Sequence, residues 1–172
     1  MNKALRLMQN ADAEISAKIR ESIGDIDENA TPLKQAGYIN RALDFAGENN
    51  ICMRETLRKC GVCCISNNAV KTAKKLYAKS GNTAEFLEKL NGADIGGKNL
   101  RLEGDKIIAV YKKCYCNIPK KTENMNPTYC ECSAGWYEKL FSEVFERAVN
   151  VKIINTILNG ADECSFEITE FE

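Results

Sequence analysis

Two hydrophobic periodicities divide this chain, and the change between them limits the available folds more than any other feature. As far as Gly92 the apolar residues recur every three or four positions, and beyond Lys98 they alternate. Asn2 to Ile23 places Ala4, Leu5, Met8, Ala11, Ile15, Ile19 and Ile23 at helical spacing, with Gly24 as the stop. Thr31-Pro32 supplies an N-cap and a proline at the first helical position. The helix it opens carries Tyr38, Ile39, Ala42, Leu43 and Ala46 and ends near Gly47. Further helices are expected from about Asn50 to Cys64, from Ser66 to about Gly81, and after the Asn82/Glu85 capping box. Gly92, Gly96 and Gly97 follow no strand, so they read as turns and not as a phosphate-binding loop.

Past Lys98 the pattern is that of strands. Leu100 to Leu102 and Lys106 to Cys116 flank a Glu103-Gly104-Asp105 turn, and alternation points Cys114 and Cys116 to the same side. Ser133 caps a helix whose apolar face is Trp136, Leu140, Phe141, Val144 and Phe145. Val151 to Leu158, an Asn159-Gly160 type I′ turn and Glu163 to Thr169 form a closing hairpin, with Cys164, Phe166 and Ile168 on one face. The expected fold is α+β: N-terminal helices, then an antiparallel sheet with an inserted helix and a C-terminal β-hairpin. Residues 1–30 read as an N-terminal helix and linker, and residues 31–172 as a Cys-rich α+β domain.

Charge and cysteine usage narrow the function. The 24 basic and 24 acidic residues cancel, which gives no general attraction to nucleic acid or to an anionic membrane. No apolar run is long enough to span a bilayer, and Asp12, Glu14 and Glu21 are foreign to a signal peptide, so the expected location is cytoplasmic. There, nine cysteines, an odd number, argue for metal ligation or redox chemistry over a disulfide framework. The chain has no histidine, which removes every Ser-His or Cys-His pair and every mixed Cys/His zinc site.

Two Cys-x-Cys pairs, Cys114/Cys116 and Cys130/Cys132, bracket one polar loop. Four thiolates placed this way suit a tetrahedral metal, zinc being the expected ion, with an iron–sulfur cluster the weaker fit because ferredoxin spacings are missing. Cys60 and Cys64 lie on a helical stripe with Met53 and Leu57 and are further candidate ligands. Two other readings stay open for these thiols: a redox relay, and simple burial, since free cysteine is among the most buried residue types. Cys164 reads as core, Cys52 as incidental, and Asp162 and Glu163 as exposed turn charges. Tyr111, Tyr115, Tyr129 and Trp136 gather around the same loop and are candidates to wall a ligand pocket. Against that stands the usual place of aromatics on a helix face, which is the core.

These motifs carry a resemblance. Tyr129-Cys130-Glu131-Cys132-Ser133-Ala134-Gly135-Trp136, then Val149 to Leu158, then Gly160-Ala161-Asp162-Glu163-Cys164-Ser165-Phe166-Glu167-Ile168 resemble the 4-vinyl reductase family, in particular a Cys-rich uncharacterised bacterial subgroup. The resemblance runs from about Cys52 onward and leaves the first helix outside. It implies a mixed α/β ligand-binding fold, a hydrophobic small molecule as ligand, and a cysteine-based metal site in some members. Some relatives are named as hydrolases of an aminothiazoline carboxylate.

The resulting expectation is a domain that binds a small apolar or aromatic molecule and is stabilised by a cysteine-ligated metal, with neither nucleic acid nor membrane as partner. No catalytic residue is assigned. The alternative is a cysteine-dependent enzyme, either like those hydrolases or a thiol redox protein. Its thiolate would be activated by a helix dipole, Lys139 or a metal. A third expectation is a homodimer formed through the amphipathic first helix.

Overall fold

Six helices precede the sheet in the computed structural model, which describes residues 2–170. Met1, Phe171 and Glu172, the outer ends of the two expected domains, lie outside the described residues. The helices are α1 (Lys3–Asn10), α2 (Ala13–Ile23), α3 (Pro32–Glu48), α4 (Arg54–Val62), α5 (Asn67–Tyr77) and α6 (Thr83–Gly92). Then come β1 (Leu100–Glu103), β2 (Lys106–Tyr111), α7 (Glu131–Phe145), β3 (Val149–Asn155) and β4 (Cys164–Glu170). The class is α+β, with a four-stranded antiparallel sheet in the order β1-β2-β4-β3.

Side-chain caps set most of the helix starts. Thr31 accepts from the Lys34 N–H, Ser66 from Ala69 at 3.1 Å and Asn82 from Glu85 at 2.9 Å, each relieving a donor the helix leaves unpaired. The expected first helix is two. Ala11 and Asp12 are extended (ψ 149° and 148°), and this break lets α1 and α2 pack separately.

Two strand expectations change. β2 stops at Tyr111 because its partner begins there: Tyr111 pairs with Cys164, the first residue of β4, and among the described residues no strand lies beyond to hold Cys114 or Cys116. The closing connection is longer than a two-residue turn. The buried Thr156 leaves the ladder and accepts from the Asn159 N–H at 3.2 Å, a 3-10 turn follows, and Gly160 takes φ +84°. A register shift between Ile153 and Asn155 bends β3 ahead of it.

The interior has two parts. One packs α5, α6 and α7 on the sheet through Phe86, Leu90, Leu140, Phe141 and Phe166. The other gathers α1, α3 and α4 around Leu7, Tyr38, Ile39 and Leu57, with Tyr129 and Ile118 added from the loop before α7. α4 and α7 join the two parts at unusually short range. A Cβ placed on Gly61 would fall 2.0 Å from the Cys132 carbonyl oxygen, and one on Gly135 would fall 2.1 Å from that of Arg58. Glycine is costly inside a helix, by about 1 kcal/mol relative to alanine, and here it is what allows the backbones to touch. Arg58 fastens the joint: it donates to Glu131 at 2.8 Å, to Glu138, and to the Val151 carbonyl at 2.9 Å. Among the described residues no helix is long and apolar enough to cross a membrane.

Candidate functional site

A cavity of about 350 Å³ opens along the seam between the two core parts. Its size lies within the usual range for small-molecule sites. The close crossing of α4 and α7 forms one wall through Cys64, Cys132, Ser133 and Trp136, and the ends of β2 and β4 supply Tyr111 and Cys164. The loop after β2 adds Cys114, Tyr115, Cys116, Tyr129 and Cys130, and α1 contributes Lys3. Tyr111, Tyr115, Tyr129 and Trp136, the four aromatics singled out in the sequence, all face this space. Tyr111 stacks on Phe166 with centroids 5.6 Å apart and donates to the Ser133 hydroxyl at 3.0 Å, which fixes its ring against the wall. Tyr115 meets Tyr111 edge-on at 5.6 Å and remains exposed at the mouth.

Six of the nine cysteines line this cavity, in separate groups. Cys114 shares a hydrogen bond with Cys164, which also accepts from the Ile157 N–H at 3.3 Å. That contact pushes the Cys114 thiol up, with burial adding to it, and draws Cys164 down from the ordinary thiol value. Cys130 is buried beside Thr156, and burial pushes its thiol up to about 12. Cys132 shares a hydrogen bond with Cys64, and that contact and burial raise Cys132. Cys64 is lowered first by the Cys132 donor and then, against burial, by Lys3 and Arg6.

The cations were absent from the sequence reading. The Arg6 guanidinium, on a residue only 6% exposed, donates to Cys64 Sγ at 3.3 Å. Lys3 Nζ donates to Cys116 Sγ at 3.1 Å, and Cys116 also meets the Tyr129 hydroxyl at 3.4 Å. Asn10 donates to Cys60 at 3.4 Å, where burial keeps the thiol high. Lys3, Arg6 and Asn10 are spaced by three and four, a polar stripe beside the apolar one of α1. That stripe was the available signal. Reading residues 1–30 as a separate helix and linker gives that stripe no partner, whereas Ala4, Leu7 and Met8 are buried in the second core part.

The expected zinc site, and the iron–sulfur cluster kept behind it, are not supported. Among the described residues no group of three or more His, Cys, Asp or Glu is placed to hold a metal ion. The physical reason is the early end of β2. Off the strand, Cys114 turns to Cys164 and Cys116 to Lys3 and Tyr129, while on the helix side Cys130 and Cys132 diverge toward Thr156 and Cys64. Cys60 and Cys64 are likewise held by Asn10 and Arg6 and complete no tetrathiolate.

A family model matches residues 7–172, nearly the whole chain, and it is that of a family of unknown function, DUF6144. The chain belongs to this family. The resemblance to the 4-vinyl reductase family is thereby corrected: the family that matches is a different one, and it takes in the second half of α1 and all of α2 and α3, which that resemblance left out. No curated protein matches the chain. Among solved structures, an H-NOX protein from S. oneidensis in its Fe(II)NO ligation state is similar with a TM-score of 0.47 and 11% identity, over 99% of each chain. A Cs H-NOX mutant carrying an unnatural amino acid has a TM-score of 0.44 and 13% identity, over 99% of this chain and 94% of the other. A point mutant of T. tengcongensis H-NOX has 0.42 and 14%, with the same coverage. Similarity at this level says nothing of what the present chain binds.

Proposed function

We infer that this member of the family is a small-molecule-binding domain whose ligand enters the seam cavity between α7, the ends of β2 and β4, and the loop after β2. The observation that carries it is the cavity wall: about 350 Å³ faced by Tyr111, Tyr129, Tyr137 and Trp136, with few polar groups. Apolar walls with a small number of oriented donors suit a flat apolar or aromatic molecule. Ser133, Lys3, Asp94 and the thiols are among the groups available to orient it. The same reading places the chain in a reducing cytoplasm, where its cysteines stay free.

The single tryptophan of the chain, Trp136, lies on the wall and reports on occupancy. An uncharged aromatic probe, N-phenyl-1-naphthylamine, should quench its emission saturably at one equivalent. Ser133→Phe, which places a ring in the space, should weaken binding at least ~10-fold, about 1.4 kcal/mol. Non-saturable quenching, or equal affinity in the filled variant, would refute the reading.

A second reading, thiol chemistry at the same cavity, is favoured by one observation. Lys3 and Arg6 both donate to sulfur, and among the described residues neither pairs with a carboxylate.

A further inference from the structure

Arg6 is nearly buried, with its guanidinium on Cys64 Sγ at 3.3 Å. A buried cation is costly unless negative charge offsets it, and among the described residues no carboxylate pairs with Arg6, so the site favours negative charge at that sulfur. Lys3 brings a second positive charge to the same end of the cavity. Cys132 stands in hydrogen-bond contact with Cys64 because Gly61, three residues before Cys64, lets α4 press against the Cys132 carbonyl. Cys64 is exposed and Cys132 is half-buried. An exposed cysteine with two cations beside it and a half-buried thiol neighbour within reach make an attacking and resolving pair.

We propose that Cys64 and Cys132 form a redox-active dithiol at the cavity, with Cys64 attacking low-molecular-weight disulfides that enter it and Cys132 resolving the product. This goes beyond the reading of the cavity as a site for an apolar molecule and rests on it only in using the same opening to reach Cys64. In the first step the Cys64 thiolate attacks one sulfur of R–S–S–R. The Cys64–S–S–R bond forms, the external S–S bond breaks, and R–S⁻ leaves with its electron pair. Cys132 then gives up its proton and attacks Cys64 Sγ, which forms the Cys64–Cys132 disulfide and expels the second R–S⁻. The two protein thiols are oxidised by two electrons, the external disulfide is reduced to two thiols, and solvent takes or supplies the protons.

Lys3 and Arg6 on α1, Cys60 on α4, Cys116 and Tyr129 from the loop, and Cys132 on α7 are the titratable and charged groups around Cys64. The two cations favour the attacking form. The hydrogen bond from Cys132 lowers Cys64 while keeping Cys132 protonated until it is needed.

The test uses the full reduced chain and oxidised glutathione at pH 7, with residual thiols alkylated and every cysteine mapped by mass spectrometry. Cys64 should react at least ~10-fold faster than Cys52 and Cys63, which are exposed and, among the described residues, accept no hydrogen bond from a cation, whereas Arg6 donates to Cys64 Sγ. The product in the wild-type chain should be the Cys64–Cys132 disulfide, and Cys132→Ser should instead accumulate the glutathione adduct on Cys64. Equal rates at Cys52, Cys63 and Cys64 in the wild-type chain overturn the proposal and need no variant to fold. So does a Cys132→Ser chain that shows no adduct. Binding of N-phenyl-1-naphthylamine by a Cys64→Ser/Cys132→Ser chain separates the two failures: the cavity reading survives if that chain binds the probe, whatever the thiols do.

Discussion

Replacing Gly135 by alanine isolates the contact on which both the cavity wall and the Cys64/Cys132 pair depend. By local propensity alone the change should stabilise α7, since alanine is favoured over glycine in a helix by about 1 kcal/mol. The structure predicts the opposite sign. The added Cβ would sit 2.1 Å from the Arg58 carbonyl oxygen and 2.6 Å from its Cα, both backbone atoms that cannot rotate away. Ordinary carbon contacts lie near about 3.5 Å, so α4 and α7 must part by roughly 1 Å. Overpacking of this kind costs about 1–3 kcal/mol, occasionally more. Here parting also stretches the bonds from Arg58 to Glu131 and Val151. After the propensity gain is subtracted, the expected net loss is about 2 kcal/mol. With a urea slope of about 2 kcal/mol per molar, the unfolding midpoint followed by circular dichroism should fall by about 1 M. Gly47→Ala is the matched control, a helical glycine in α3 with nothing within 4 Å of an added Cβ. It should raise the midpoint. If Gly135→Ala raises it as well, the argument from close helix packing is wrong.

Three further predictions rest on separate groups. Arg58→Met leaves Glu131 and Glu138 without the guanidinium that joins them, so stability should fall by about 2 kcal/mol, which for a chain of this size lowers the melting temperature by roughly 6 °C; an unchanged calorimetric melt would show the clamp to be idle. Arg6→Met removes one cation from Cys64, which should move the pH dependence of Cys64 alkylation upward and slow the reaction at pH 7 relative to Cys52 in the same sample; a pH profile identical to wild type would remove Arg6 from the site. Glu143 is held near 2, below its ordinary 4.5, by hydrogen bonds and charge from Lys139 and Lys74. Its folded-state value is depressed, so its contribution is present above about pH 4.5 and is lost as pH falls toward 2. Glu143→Gln should therefore flatten the acid limb of the stability curve between those values, and an unaltered limb would count against the two ion pairs.

The corrections in this protein share a cause. Cap residues such as Thr31, Ser66 and Asn82 act on donors three residues away, so the helices they open were legible in the chain. Alternation over residues 106–116 correctly gave β2 its beginning and its faces, but a strand also needs a partner. Where β4 starts at Cys164 decides that β2 stops at Tyr111, and with that stop the expected metal site dissolves into separate thiol contacts. The closing hairpin followed the same rule. Asn159-Gly160 has the composition of a tight turn, yet the buried Thr156 captures the chain first and builds a longer connection.

The sequence by itself determined the order of helices and strands, the residues facing inward on them, and the gathering of aromatics and thiols near one loop. Those properties depend on spacings of two, three and four residues, which the chain carries locally. Tertiary structure alone decided which thiol meets which partner. Cys64 and Cys132 are brought together by the glycine notch of α4 on α7, Cys114 and Cys164 by the loop that leaves β2 where β4 begins, and Arg6 reaches Cys64 from a helix 58 residues away. Such contacts depend on where whole elements pack against one another, and no local spacing encodes that.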